Sequence, residues 1–280
     1  MQLSDFHYAP GLMADRGLDE AERIVRALDP DLIVVSGDLT REGLFEQFVP
    51  VVEFLESLDM GRVRAIPGNR DYLGGGPGPL PPAGSDFDYF LIAPDTADAA
   101  RFEHAGSALE TPFTHFFNDV DFFDRSKGYV IVGLDSEPVI PEESMIRAVE
   151  FYSASPMKAH RVFCTHRSLL PTPRKKLKTG DLLPNAGDIL EQLIAARVDL
   201  AMCAHVHRVH AWQLSAGGHA MVVVNAPSLL DRTPGKENGL LAIDLGKPGE
   251  IRVTLHPIGD DGRRILIDTE ARRSKRRRTA

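Results

Sequence analysis

The stretch Asp31-Leu32-Ile33-Val34-Val35-Ser36-Gly37-Asp38-Leu39-Thr40 is a run of aliphatic and β-branched residues closed by Ser-Gly-Asp. Such a run reads as a strand buried on both faces, the kind found in parallel sheets covered by helices. Its last side chain, Asp38, is a carboxylate delivered to the loop at the strand's carboxyl end. Gly37 lets the backbone turn tightly where a ligand would approach. Taken alone, Gly37-Asp38 reads equally well as a plain turn, so the neighbouring segments have to decide.

On the amino-terminal side, Leu18 to Leu28 sets Leu18, Ile24, Val25 and Leu28 opposite Asp19, Glu20, Glu22 and Arg23, an amphipathic helix ended by Pro30. Earlier still stands Asp5-Phe6-His7. Two residues apart, Asp5 and His7 would point to one face at a strand end, as two ligands of one metal do. Only four residues precede Asp5, so the first strand is expected to be short. On the other side, a helix is expected from about Leu44 to Leu58, kinked or restarted at Pro50. Arg62 to Pro67 reads as a short strand emptying into Gly68-Asn69-Arg70-Asp71.

From Gly74 to Lys127 the alternation stops. Gly74 to Pro82 is too rich in Gly and Pro for helix or strand. Phe87, Tyr89, Phe90, Phe102, Phe113, Phe116, Phe117, Phe122 and Phe123 then suggest an insertion packed on the core, with a lid over the site as the functional alternative. Regularity returns with a strand from Tyr129 to Ser136, a helix from Met145 to Tyr152 and a strand from Arg161 to His166. A helix from Ala186 to Ala196 and a strand from Val198 to Ala204 follow, the latter running into His205-Val206-His207. Ala220 to Asn225, Gly239 to Ile243 and Ile251 to Leu255 read as a β-rich end completing a second sheet. The class is α/β. Residues 1–258 form one domain with the insertion at 74–127, and 259–280 form an extension with a basic, disordered tail.

With 280 residues, 43% of them hydrophobic, the chain can bury a substantial core. No apolar run is long enough to span a membrane and the first residues do not resemble a signal peptide, so a cytoplasmic protein is expected. Cys164 and Cys203 each sit in an apolar run and read as reduced core residues. Six of the last ten residues are basic; removing them from the net −8 leaves −14 on residues 1–270. That acidic body argues against nucleic acid, whose backbone needs a basic surface.

Five strand ends thus present Asp5/His7, Asp38, Asn69, His166 and His205/His207. A lone histidine is usually a surface or core residue. Three carboxylate or amide oxygens together with four imidazoles suit two borderline ions such as Mn, Fe, Zn, Ni or Co.

In this order and over Ser4 to about Pro257, the blocks Asp5-Phe6-His7, Gly37-Asp38, Gly68-Asn69-Arg70-Asp71, His166 and Ala204-His205-Val206-His207 resemble those of the calcineurin-like metallophosphoesterases. Asp29 to Thr40 and Val198-Asp199-Leu200 are most similar to the branch related to class III cyclic-nucleotide phosphodiesterases. The resemblance implies a four-layer αββα sandwich with two packed mixed β-sheets. It implies Asp5, His7, Asp38 and His207 on one metal and Asp38, Asn69, His166 and His205 on the other, with Asp38 bridging. A hydroxide bridging the two ions would attack a small-molecule phosphoester in line. The candidate catalytic residues are Asn69, Arg70 and Asp71.

Two departures stand out. Ala204 replaces a glycine, which asks only that the backbone there avoid positive φ. Arg70 replaces a histidine regarded as the acid for the leaving oxygen; arginine stays charged and can stabilise negative charge but cannot usefully give up its proton. A cyclic or activated phosphodiester is therefore the expected substrate. Gly68 to Gly74 is also similar to the UDP-2,3-diacylglucosamine pyrophosphohydrolases, in which the leaving group is a phosphate, and this is the alternative. His115 and His210 are candidate replacement acids. A catalytically weakened protein-binding scaffold on the same fold is the alternative of another class.

Overall fold

In the computed structural model, described over residues 1–73, 111–126, 128–173, 175–230, 237–259 and 262–270, strand β2 (Ile33–Ser36) forms where the chain is most aliphatic, and all four of its residues are buried. It runs parallel to β1 (Gln2–Leu3) and β3 (Val63–Ile66). Strands β4 (Phe122–Ser126), β5 (Tyr129–Gly133), β6 (His160–Cys164), β7 (Leu200–Cys203), β8 (His210–Ala216) and β9 (His219–Asn225) follow. The last three are β10 (Gly239–Leu245), β11 (Ile251–Pro257) and β12 (Arg264–Asp268). They make two six-stranded mixed sheets, ordered β12-β11-β10-β1-β2-β3 and β4-β5-β6-β7-β9-β8.

Alternation along β2 shows how the layers form. Val34 points inward to Ile66, Ile131, Val162, Met202, Val224, Leu241 and Val253, the apolar seam between the sheets, while Ile33 and Val35 point outward. The outer face of the first sheet is covered by α1 (Leu12–Leu28) and α2 (Phe45–Ser57), with Val25, Phe48, Val51 and Leu55 in the contact. Phe113 on the short α3 (Pro112–Phe117) joins this cluster. The second sheet is covered by α4 (Glu142–Ser153) and α5 (Ala186–Ala195) through Met145, Tyr152, Ile189 and Leu193. The result is the four-layer αββα arrangement. No helix among the described residues is long and apolar enough to cross a membrane.

Several expectations change. Helix α2 runs through Pro50 without restarting; the buried Phe48, Val51, Val52, Phe54 and Leu55 outweigh one lost backbone hydrogen bond. Of the three late strands, only β9 joins the second sheet. β10 pairs antiparallel with β1, and β11 with β10, so they complete the first. β8, β4 and β12 are additions; β12 pairs with β11 inside the segment read as an extension. Strand β1 is short, as expected, yet lies between β10 and β2. Gln2 is fully buried there, and its Nε2 donates to Ser36 Oγ at 2.9 Å and to the Cys203 carbonyl of the other sheet at 3.0 Å. The Gly74–Pro82 run, the aromatics from Phe87 to Phe102 and the basic tail lie outside the described residues. Phe113, Phe116 and Phe117 pack on one another and on Phe45 and Phe48.

Candidate metal centre

The parallel strands of both sheets end at one edge of the molecule, where open α/β sheets bind their ligands. The loop after β1 brings Asp5 and His7, that after β2 brings Asp38, and that after β3 brings Asn69. From the other sheet, β6 leads to His166 and β7 to His205 and His207.

Asp5 and His7 converge, but not through strand alternation: both lie beyond β1 with φ of 50° and 45°. Asp38, His205 and His207 also have positive φ, at 52°, 68° and 48°. Left-handed backbone at a residue with a side chain costs roughly 1–2 kcal/mol and gathers at functional sites; five of the seven expected ligands adopt it. Ala204 does not, which is why alanine fits where the resemblance has glycine. Two glycines are required by contact. A Cβ on Gly68 would lie 2.3 Å from Asp38 Oδ1, and one on Gly37, itself at φ 90°, 2.6 Å from His166 Nδ1.

The side chains form two groups, Asp5, His7 and His207, and Asp38, His166 and His205, each with potential ligand atoms within 4.8 Å of one another. In the first, Asp5 Oδ2 accepts from Ser4 Oγ at 2.9 Å and from the His205 amide at 3.2 Å. Its Oδ1 is left facing His207 Nε2 at 3.1 Å and His7 Nε2 at 3.6 Å. The two Nε2 atoms are 2.8 Å apart. In the second, His166 Nδ1 donates to the Ser36 carbonyl at 2.8 Å, so that Nε2 is the ring nitrogen facing Asp38 Oδ1 at 3.5 Å and His205 Nδ1 at 3.2 Å. Asp38 spans the groups, because its Oδ2 lies 3.6 Å from His7 Nε2. Asn69 is 4% exposed, and the next residue's amide, Arg70 N–H, donates to Asp38 Oδ1 at 2.8 Å.

Electrostatics follow from this crowding. Burial raises Asp5 and Asp38, but the histidines, His207 first for Asp5 and His166 first for Asp38, overturn that and hold both carboxyls well below the usual range. Burial likewise opposes charge on His166, yet Asp38, Asp5 and Glu137 push it up to about 10. His205 is held well below its ordinary value by burial, His166 and Arg167. The residues suit cations. Asp5 Oδ1 and Asn69 Oδ1 are buried without a hydrogen bond, four imidazoles and two carboxylates converge, and no thiolate is present. Mn, Fe, Zn, Ni and Co all accept this donor set.

Asp71, though adjacent to Arg70, faces elsewhere. Its carboxylate accepts from the amides of Leu39, Thr40 and Gly68 and from Thr40 Oγ1 at 2.9–3.2 Å, tying the Asp38 loop to the Asn69 turn. Burial and Asp38 raise it to about 6 against those donors. The Arg70 side chain has no hydrogen bond or ion pair among the described residues. His115 packs edge-on to Phe45 and Phe116, and His210 against Trp212; no hydrogen bond or ion pair ties either to the ligand groups.

The sequence reading missed Arg167, Glu137 and the loop after β5. Arg167 is fully buried beside His166, its Nε donating to Glu137 Oε1 at 3.0 Å and its Nη2 to Oε2 at 2.8 Å. The available signal was a charged residue immediately after a strand-end histidine.

The family model described as calcineurin-like phosphoesterase matches residues 1–209. Among solved structures, the chain resembles a purple acid phosphatase, PPD1, from yellow lupin (Lupinus luteus) with a TM-score of 0.64 and 12% identity, covering 95% of this chain and 52% of that one. It also resembles GAP50, described as the anchor in the inner membrane complex of Plasmodium, with a TM-score of 0.55 and 10% identity, covering 95% and 87%. At these identities the likeness is one of fold. No curated protein matches the sequence.

Proposed function

The chain belongs to the calcineurin-like phosphoesterase family, and from that premise we propose that it is a dinuclear metal-dependent phosphodiesterase acting on a cyclic or activated phosphodiester. The observation that carries this reading is Asp38, with one carboxylate oxygen toward each group of ligands. Asp5, His7, Asp38 and His207 would hold one ion and Asp38, Asn69, His166 and His205 the other, with manganese and iron the first metals to try. Two bound cations supply an acidified water and neutralise the phosphoryl oxygens. The chain's own part is orientation: the Ser36 carbonyl fixes the His166 tautomer, the Arg70 amide fixes Asp38, and Asp71 fixes the two loops to each other.

Hydrolysis forms a bond from the water oxygen to phosphorus and breaks the one to the leaving oxygen, which departs with its electron pair. Arg70 can favour that charge by attraction but cannot protonate it. Substrates whose leaving group is stable as an anion fit this arrangement. Pyrophosphates, to which the similarity of the Gly-Asn-Arg-Asp block points, meet that condition directly; cyclic nucleotides follow from the resemblance to the class III branch, and their ring opening releases a sugar alkoxide that only the charge of Arg70 would stabilise. Cys164 and Cys203 are buried and unpaired, as in a cytoplasmic enzyme.

A panel of cyclic nucleotides, nucleotide sugars and aryl diesters assayed with Mn²⁺ tests the reading. Turnover is expected in the wild type and its loss to background in Asp38→Ala, since a shared ligand would serve both ions. Protein that binds no transition metal and gains no rate from Mn²⁺ would remove the proposal. The likeness to GAP50 gives a second reading, a protein-binding scaffold. On that reading Asp38→Ala leaves partner binding intact and there is no turnover to lose.

A further inference from the structure

Strand β5 lies beside β6 in the same parallel set, but the loop it feeds, Asp135-Ser136-Glu137, brings no ligand to either group. It is nevertheless bonded to the turns that do. Tyr72, which closes the short turn Asn69–Tyr72, donates from Oη to Asp135 Oδ2 at 2.5 Å. Two residues on, Glu137 takes the bidentate contact from Arg167, and Ser136 Oγ accepts from the Arg167 amide at 3.1 Å. The loop is itself held: the Asp135 amide donates to Asp121 Oδ1 at 2.8 Å and the Glu137 amide to Asp135 Oδ1 at 3.0 Å. Asp121 in turn receives Arg147 Nη2 at 2.9 Å.

We propose that Asp135 and Glu137 are positioning residues that act more on one metal than on the other: through Tyr72 and Arg167 they hold Asn69 and His166, which would serve the second ion alone, and among the described residues they make no such contact with Asp5, His7 or His207. The inference rests on the two-metal reading above. It concerns a step before chemistry, the relative placement of an amide oxygen from the first sheet and an imidazole from the second. Partners that orient ligands in this way typically change metal affinity by about 10–100-fold when removed. Burial, eased by the Tyr72 hydroxyl and reinforced by Glu137, pushes Asp135 up to about 8. The contact therefore needs no charge on Asp135 at neutral pH, and asparagine can stand in as the acceptor.

The test is calorimetric titration of metal-free protein with Mn²⁺, together with thermal melts of the same samples. Wild type is expected to show two binding events. Tyr72→Phe and Asp135→Ala should weaken one of them by about tenfold or more and the other distinctly less, while Asp135→Asn restores the weakened event. Two wild-type events that persist unaltered in Tyr72→Phe and Asp135→Ala overturn the positioning role while leaving the metal reading in place. Equal weakening of both events with a lowered melting temperature also overturns it, because that is general loosening. A wild type that binds no Mn²⁺ fails the metal reading itself and the inference with it.

Discussion

Arginine at position 70 changes what the edge of this centre can do. A histidine there could give a proton to a departing alkoxide, an effect typically worth 10²–10⁴-fold, whereas a guanidinium can only attract it. Arg70→His should therefore raise the rate on diesters with poor leaving groups by about tenfold or more relative to good ones. Steady-state rates on a series of aryl and alkyl diesters read this out, and an unchanged ratio between the two ends of the series would sink the missing-acid idea. His115 and His210 pack against aromatic rings, with no hydrogen bond or ion pair to the ligand groups. The same scale explains which candidate ligands could be placed in advance. Asp38, His166 and His205 each follow a run of buried aliphatic residues, so their placement at a strand end is written in the residues before them. Asp71 looked catalytic beside Arg70 because sequence adjacency says nothing of direction; its oxygens turn to the amides of Leu39, Thr40 and Gly68.

Elements decide the rest. The strands themselves were legible from their aliphatic runs, but the sheet each joins was not. Leu240 and Leu241 would be buried in either sheet, and only the pairing of Leu241 with Gln2 assigns β10 to the first. The loop after β5 was illegible for a similar reason: Tyr72 lies 63 residues from Asp135, and Arg167 lies 30 from Glu137. Loop and β6 turn are coupled through a fully buried ion pair. Arg167→Ala leaves Glu137 buried and uncompensated and should cost about 3–5 kcal/mol, measured as a shifted urea midpoint. The double variant Arg167→Met with Glu137→Leu keeps volume without charge and should recover most of that loss. A single variant that unfolds at the wild-type midpoint would mean the pair carries no structural weight.

For the molecule as a whole, the centre is a seam between two sheets. Asp5, His7, Asp38 and Asn69 come from the first sheet and His166, His205 and His207 from the second, so a cation bound among them joins one to the other. Binding to the folded state alone stabilises by about 2.7 kcal/mol per site at a hundredfold excess over Kd, or roughly 5–10 °C for a domain of about this size. Adding Mn²⁺ should raise the melting temperature by that order, and EDTA should reverse it. Asp38→Ala should be insensitive to both, and a melting temperature indifferent to metal in the wild type would contradict the seam.

The two-residue strand β1, an inner strand of the first sheet, bears on how the protein is made. Gln2 has Val34 on one side and Leu241 on the other, and Asp5 meets His207 across 202 residues of chain. Contacts of such long sequence separation form slowly, because the intervening loop must close before they give any return. On the ribosome, Asp5 and His7 emerge before the other candidate ligands but have no complete set of partners until His207 has been synthesised, and β1 has no second neighbour until Leu241 has. The centre is thus assembled late, and its earliest ligands stay uncommitted through most of synthesis.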